Sequence, residues 1–202
     1  MQALSRWVLR VGGWRLLGGP PAGVDRYVLL AAPHTSNWDL LWMLLFAWSA
    51  GIRVSWLAKH TLFVGPLGWF LRRLGGVPVV RHVREDRVAS TARTFTDSAR
   101  AEAPLVLVIP PEGTRGHTEY WKSGFYHIAR SAQVAVVPTA LDYGRKLGEF
   151  GPAMDASGDL TAFMDAMRAF YADRSGRIPE RFGPVRLREE DAADLPPVRR
   201  AG

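Results

Sequence analysis

Apolar and polar positions along the chain alternate between short, solid apolar runs and longer stretches with helical spacing. Five runs read as strands: "RYVLLAA" at 26–32, "RVSWLA" at 53–58, "VPVV" at 77–80, "LVLVIP" at 105–110 and "VAVVPTAL" at 134–141. Several carry no polar alternation, as strands do when both faces of their sheet are covered. Between them, residues 37–50, 66–74, 86–101 and 123–132 space their apolar side chains for helices. In 86–101, Val88, Ala92, Phe95 and Ala99 form one stripe; in 159–173, Leu160, Phe163, Met164, Met167, Phe170 and Tyr171 form another. Such stripes build a core. The alternation of elements predicts an α/β layered fold.

Both ends depart from this rhythm. In "MQALSRWVLRVGGWRLLGG", Leu4, Trp7, Val8, Val11 and Trp14 recur at helical spacing, with Arg6 and Arg10 one turn apart. This predicts an amphipathic helix within residues 1–20, although Gly12 and Gly13 weaken it. A basic helix carrying tryptophans suits a membrane interface, and equally a helix packed on the domain with its arginines exposed. Arginines at 6, 10 and 15 interrupt the apolar residues, so the segment is no signal-peptide core. The most apolar stretch, 40–52, falls short of the roughly 20 residues that a spanning helix needs. At the other end, residues 189–202 have the composition of a flexible tail. One domain over residues 1–202 is the expected organisation.

Charge and cysteine content narrow the chemistry. Lys plus Arg is 26 and Asp plus Glu is 19, a net charge of +7 that calls for an anionic partner: nucleic acid, phospholipid surface or phosphorylated substrate. The chain has no cysteine, which excludes disulfides, a thiol nucleophile and zinc–thiolate sites and suits a cytosolic location. His60, His82, His117 and His127 lack partners at zinc-ligand spacing, so no metal site is expected.

"PHTSNWDLLW", at the junction of the first strand and the helix 37–50, holds two ionisable residues more than a helix cap requires. Were 34–39 all helical, five residues would turn Asp39 about 140° away from His34. If instead His34 ends the strand and Ser36 or Asn37 caps the helix, Asp39 lies in its first turn and the chain brings the two side chains together. A carboxylate on one imidazole nitrogen fixes the tautomer and leaves the other nitrogen to accept a proton. The plain alternative is a cap with a satisfied loop histidine beside it. Two further stretches bear on that choice. "VIPPEGTRG" places Glu112, Gly113, Thr114 and Arg115 directly after an apolar strand, where binding loops of α/β folds gather. "GGVPVVRH" places Arg81 after a short strand, and the 86–101 helix is the length of a crossover between neighbouring strands. Two guanidiniums at neighbouring strand ends would form a fork for a phosphate.

In their order, "HTSNWD", "GGVPVVR", "PEGTR" and "VVPTA" resemble the four sequence blocks of the lysophospholipid acyltransferase family, over about residues 26–141. The resemblance implies a mixed, largely parallel sheet flanked by helices. It implies His34 as general base, Asp39 as its orienting partner, and Arg81, Glu112, Gly113, Thr114 and Arg115 around the acceptor. Glu112 would orient Arg115 or a substrate hydroxyl, and Lys122 would add charge near the phosphate. The co-substrate would be an acyl thioester, on coenzyme A or acyl carrier protein, and no cofactor is implied. The acceptor would be a lysophospholipid, and the protein would sit peripherally on the cytoplasmic face of a membrane, without nucleic acid as a partner. Val80 and Gly116 stand where many relatives have an acidic residue or Asn and a Ser, which leaves the acceptor open. A basic nucleic-acid module and a non-catalytic lipid-binding protein are the competing classes.

Overall fold

In the computed structural model, which describes residues 1–79 and 86–193, a single seven-stranded sheet organises the chain. Its strands are β1 (Arg15–Leu17), β2 (Arg26–Ala32), β3 (Val54–Lys59), β4 (Gly76–Val79), β5 (Leu105–Ile109), β6 (Ala135–Asp142) and β7 (Leu147–Phe150). They lie in the order β1-β7-β6-β2-β5-β3-β4, and every pairing is parallel except the β6–β7 hairpin. The helices are α1 (Gln2–Val11), α2 (Trp38–Ser49), α3 (Gly65–Arg73), α4 (Asp86–Arg100), α5 (Gly124–Ala132), α6 (Leu160–Tyr171) and α7 (Arg188–Ala193). The mixed, largely parallel sheet flanked by helices is therefore the observed architecture.

The solid apolar run of β2 has its cause in the two layers that cover it. Side chains alternate across a strand, and β2 uses both faces. Val28, Leu30 and Ala32 pack with Phe95 of α4, Phe125 of α5 and Met164 of α6. Tyr27 and Leu29 pack with Leu44 and Ala47 of α2 and with Trp56 of β3, where Leu71 and Leu74 of the α3 region join them. A central strand with no wet face has no use for polar alternation. Outside α2, a third cluster joins Leu9 of α1 to Trp14, Leu45 and Phe46.

Several sequence expectations need correction. The N-terminal helix ends at Val11, and Trp14, read as part of its apolar face, lies beyond it, buried against Trp42 just before strand β1. Residues 189–202 begin in α7, where Glu190 accepts the Leu187 amide at 2.7 Å and pairs with Arg168 at 2.8 Å. Strands β1 and β7 were not expected at all. Finally, β4 and β5 are not neighbours, because β3 lies between them. The fork expected from Arg81 and Arg115 therefore does not follow from strand adjacency. Arg81, with Val80 and His82, lies outside the described residues.

The parallel register makes the site. Leu30 of β2 pairs with Ile109 of β5, so the loops leaving both strands emerge side by side at the C-terminal edge of the sheet. Ligands of open α/β sheets bind at that edge. His34 and Glu112 are the residues those two loops deliver.

Candidate active site

Asp39, in the first turn of α2, folds back over the loop that precedes it. Its Oδ2 accepts the backbone N–H of Thr35 at 2.8 Å and of Ser36 at 2.9 Å, and lies 3.2 Å from His34 Nδ1. Its Oδ1 accepts the Tyr143 hydroxyl at 2.7 Å. Asp39 thus ties down the loop that precedes the helix, and does not cap the helix itself. Asn37 makes no capping bond through its side chain, and Ser36 Oγ accepts a long bond of 3.3 Å from the Trp38 amide. Burial raises the Asp39 carboxyl, but the bonds from His34, Tyr143 and Ser36 outweigh it and hold the pKa below the ordinary carboxylate value. An ionised Asp39 requires the proton of a neutral His34 to sit on Nδ1. Nε2 is then left as a proton acceptor.

The main chain of His34 is held from the other side. Its N–H donates to Glu112 Oε1 at 2.9 Å, across the β2–β5 boundary. Glu112 is 1% exposed, and its Oε2 has no hydrogen-bond partner among the described residues. Burial pushes its carboxyl up to about 7, against the opposing pull of the His34 amide and charge. Glu112 thus holds the main chain of His34 through one oxygen, and Arg115 or a substrate hydroxyl is the target the sequence suggests for it. Gly113 follows in the left-handed region at φ +67°, and a Cβ there would come within 3.1 Å of Lys122 Cγ. Glycine suits both demands. The Lys122 amide donates to Pro111 O at 2.7 Å, while its side chain is exposed. Thr114 is exposed, with its Oγ1 accepting the Gly116 amide at 3.2 Å.

A cavity of about 250 Å³ opens beside these residues, with His34, Asp39 and Arg115 in its lining. The rest of its wall is mostly apolar: Leu29 of β2, Met43 and Ala47 of α2, Val54 and Trp56 of β3, and Leu71 of α3. Register shows its direction. Val54 pairs with Val106, which pairs with Tyr27 at the start of β2, so the cavity runs from His34 toward the opposite edge of the sheet. Along it α2 presents Asp39, Met43 and Ala47 at four-residue intervals, one face of the helix. The arrangement sets the His34–Asp39 pair at one end of an apolar slot.

Sequence reasoning missed Tyr143. It lies one residue past β6, whose Leu141 and Asp142 extend the strand beyond its pairing with β2, and the ring meets Trp14 edge-on at 5.2 Å. Its position beyond a C-terminal strand end was the available signal. Missed too was Thr35, fully buried, whose Oγ1 accepts the Ile178 amide at 3.2 Å from a segment distant in sequence.

A protein-family model described as Acyltransferase matches residues 21–142. Among solved structures, the chain is similar to PlsC, the 1-acyl-sn-glycerophosphate acyltransferase of Thermotoga maritima. The two are 18% identical, the alignment covers 96% of this chain and 79% of that one, and the TM-score is 0.55. A search of the curated proteins finds no match. The family match spans well over half of the chain and contains His34, Asp39 and the Glu112–Arg115 turn. The chain belongs to the acyltransferase family.

Proposed function

We propose that the protein transfers a fatty acyl group from a thioester, on coenzyme A or acyl carrier protein, to the hydroxyl of a lysophospholipid such as 1-acylglycerol 3-phosphate. One observation carries the proposal: the His34–Asp39 pair lies at the polar end of an apolar cavity, with Arg115 beside it. The cavity takes the acyl chain. His34 Nε2 removes the proton of the acceptor hydroxyl as its oxygen attacks the thioester carbonyl. The C–O bond forms, the C–S bond breaks, and the departing thiolate takes its proton from His34. Holding both substrates in line supplies much of the acceleration, so direct transfer requires no covalent enzyme intermediate. Arg115, together with Arg81, would hold the acceptor's phosphate, with Lys122 adding charge. The 1-acyl-sn-glycerophosphate named for the Thermotoga maritima relative makes that lipid the first acceptor to try.

The proposal includes peripheral attachment at the cytoplasmic face of a membrane. Among the described residues no helix is long and apolar enough to cross one. Helix α1 exposes Leu4, Trp7 and Val11 beside Arg6 and Arg10, and α3 exposes Leu67, Trp69 and Phe70 beside Arg72 and Arg73. Basic helices with exposed aromatic residues partition into the headgroup region.

The test is purified protein with labelled acyl-CoA or acyl carrier protein and a panel of lyso-lipids, with products read by mass spectrometry. His34→Ala should lower transfer by about 100-fold or more, with the circular dichroism spectrum and melting point unchanged. A folded His34→Ala protein with full activity would sink the proposed mechanism.

A further inference from the structure

Beyond residue 142, where the family match ends, the segment 173–181 returns to lie on the His34 loop. It is pinned there at close range. The Tyr143 amide donates to Ser175 O at 2.9 Å, and the Ile178 amide donates to Thr35 Oγ1 at 3.2 Å. A Cβ on Gly176 would meet Thr35 Oγ1 at 2.7 Å. The segment is thus fixed against Thr35 and Tyr143, the neighbours of His34 and Asp39.

Three arginines project from it, and two are used by the protein. Arg174 pairs with Glu149 at 2.7 Å and with Asp173. Arg181 donates to Thr35 O at 3.3 Å. Arg177, between them, has no carboxylate partner among the described residues. Its guanidinium lies 5.6 Å from the Trp38 ring centroid and 6.0 Å from that of Tyr143. Both neighbours belong to the catalytic pair's surroundings, since Trp38 precedes Asp39 and the Tyr143 hydroxyl bonds to Asp39. Aromatic rings hold a guanidinium by its face, which leaves the in-plane N–H donors free to bind. Arg177 is exposed, and of the residues flanking it Gly176 is packed closely on Thr35 and Ile178 is hydrogen-bonded to it. Its charge is therefore held beside Trp38 and Tyr143, the neighbours of Asp39, with no hydrogen bond of its own among the described residues. That is the arrangement a phosphate oxygen pair recognises.

We propose that Arg177 is a phosphate-binding residue of this active site, supplied from outside the segment that matches the family. The inference rests on the acyl-transfer reading given above, in which either substrate brings the phosphate. One source is the phosphomonoester of the acceptor, and the other is the phosphates of the donor's carrier.

Two paired comparisons distinguish the sources. Lysophosphatidate is measured against monoacylglycerol as acceptor, and acyl-CoA against acyl-N-acetylcysteamine as donor, for wild type, Arg177→Ala and Arg177→Lys. In one pair, the ratio of kcat/KM for the phosphate-bearing member to that for the phosphate-free member should fall about tenfold in Arg177→Ala. Arg177→Lys, which keeps the charge but not the fork, should fall between. Calorimetric titration with glycerol 3-phosphate and with coenzyme A reads the same residue without turnover. The ligand whose ratio falls should bind Arg177→Ala about tenfold more weakly. A protein that transfers no acyl group would sink the proposed reaction, and the titration would still decide Arg177. Equal losses within both pairs would show a purely structural role and overturn the inference. So would unchanged kinetics together with unchanged titrations.

Discussion

Glu112 sits where opposing demands meet. One of its oxygens must accept from the His34 amide, while burial to 1% exposure penalises the charge that makes it a good acceptor. Its raised pKa, about 7, is the outcome. In the unfolded chain it titrates near 4.5, so below that pH the protonated group lets the fold keep its full stability. As pH rises through 7 the buried group must ionise, and stability is lost. Glu112→Gln keeps the accepting oxygen without the titration. The stability of the variant relative to wild type should improve between pH 5 and pH 8 by up to about 3 kcal/mol. Denaturant unfolding at the two pH values reads this, and a pH-independent difference would contradict it. The residue's identity was legible in "PEGTR", but its role was not. Nothing in a linear sequence says that a carboxylate after β5 will meet the amide of a histidine after β2. That follows from the Leu30–Ile109 register.

At the scale of elements, α2 joins Asp39 to the apolar slot. Asp39, Met43 and Ala47 share one face, and the two helical intervals of four residues from Asp39 to Ala47 span about 12 Å of axis. An extended alkyl chain advances about 1.3 Å per carbon, so Ala47 should lie beside about the ninth or tenth carbon. Ala47→Phe should therefore reject acyl chains longer than about ten carbons while transferring shorter ones, at a stability cost of about 1–3 kcal/mol. Donors of graded length in competition would show it, and an unchanged preference would place the chain elsewhere. The helix itself was readable because its apolar spacing is dense. Strands β1 and β7 were not readable, for a physical reason. Three and four residues long, they lie at one side of the sheet, and the antiparallel β7 is made by the tight turn after Asp142. That turn is fixed by Asp142 accepting the Arg145 amide at 3.0 Å, not by a long apolar run.

Across the whole molecule, α1 and α3, the two helices proposed to meet lipid, belong to the same layer. Helix α1 packs outside α2, and the α3 region shares with α2 the core that covers one face of β2. Trp7 is 61% exposed and Trp69 64%, so replacing them takes little from the fold. The double variant Trp7→Ser, Trp69→Ser should keep its melting point yet lose at least about tenfold in affinity for anionic vesicles. Co-sedimentation at two salt concentrations would measure the loss and its electrostatic share. Undiminished binding would count against this layer as the lipid-facing side. The order of strands across the sheet was the least legible feature of all, because it depends on pairings as distant in sequence as Arg15 with Leu147.

Thr35 also sets a schedule. Its own amide is held by Asp39, four residues on, but its hydroxyl and carbonyl wait for Ile178 and Arg181, and Asp39 waits for Tyr143. A ribosome has made His34 long before any of these partners exist. The emerging chain thus carries His34 without the scaffold that aims it, and that loop gains its last partners only once residues 143–181 have been made.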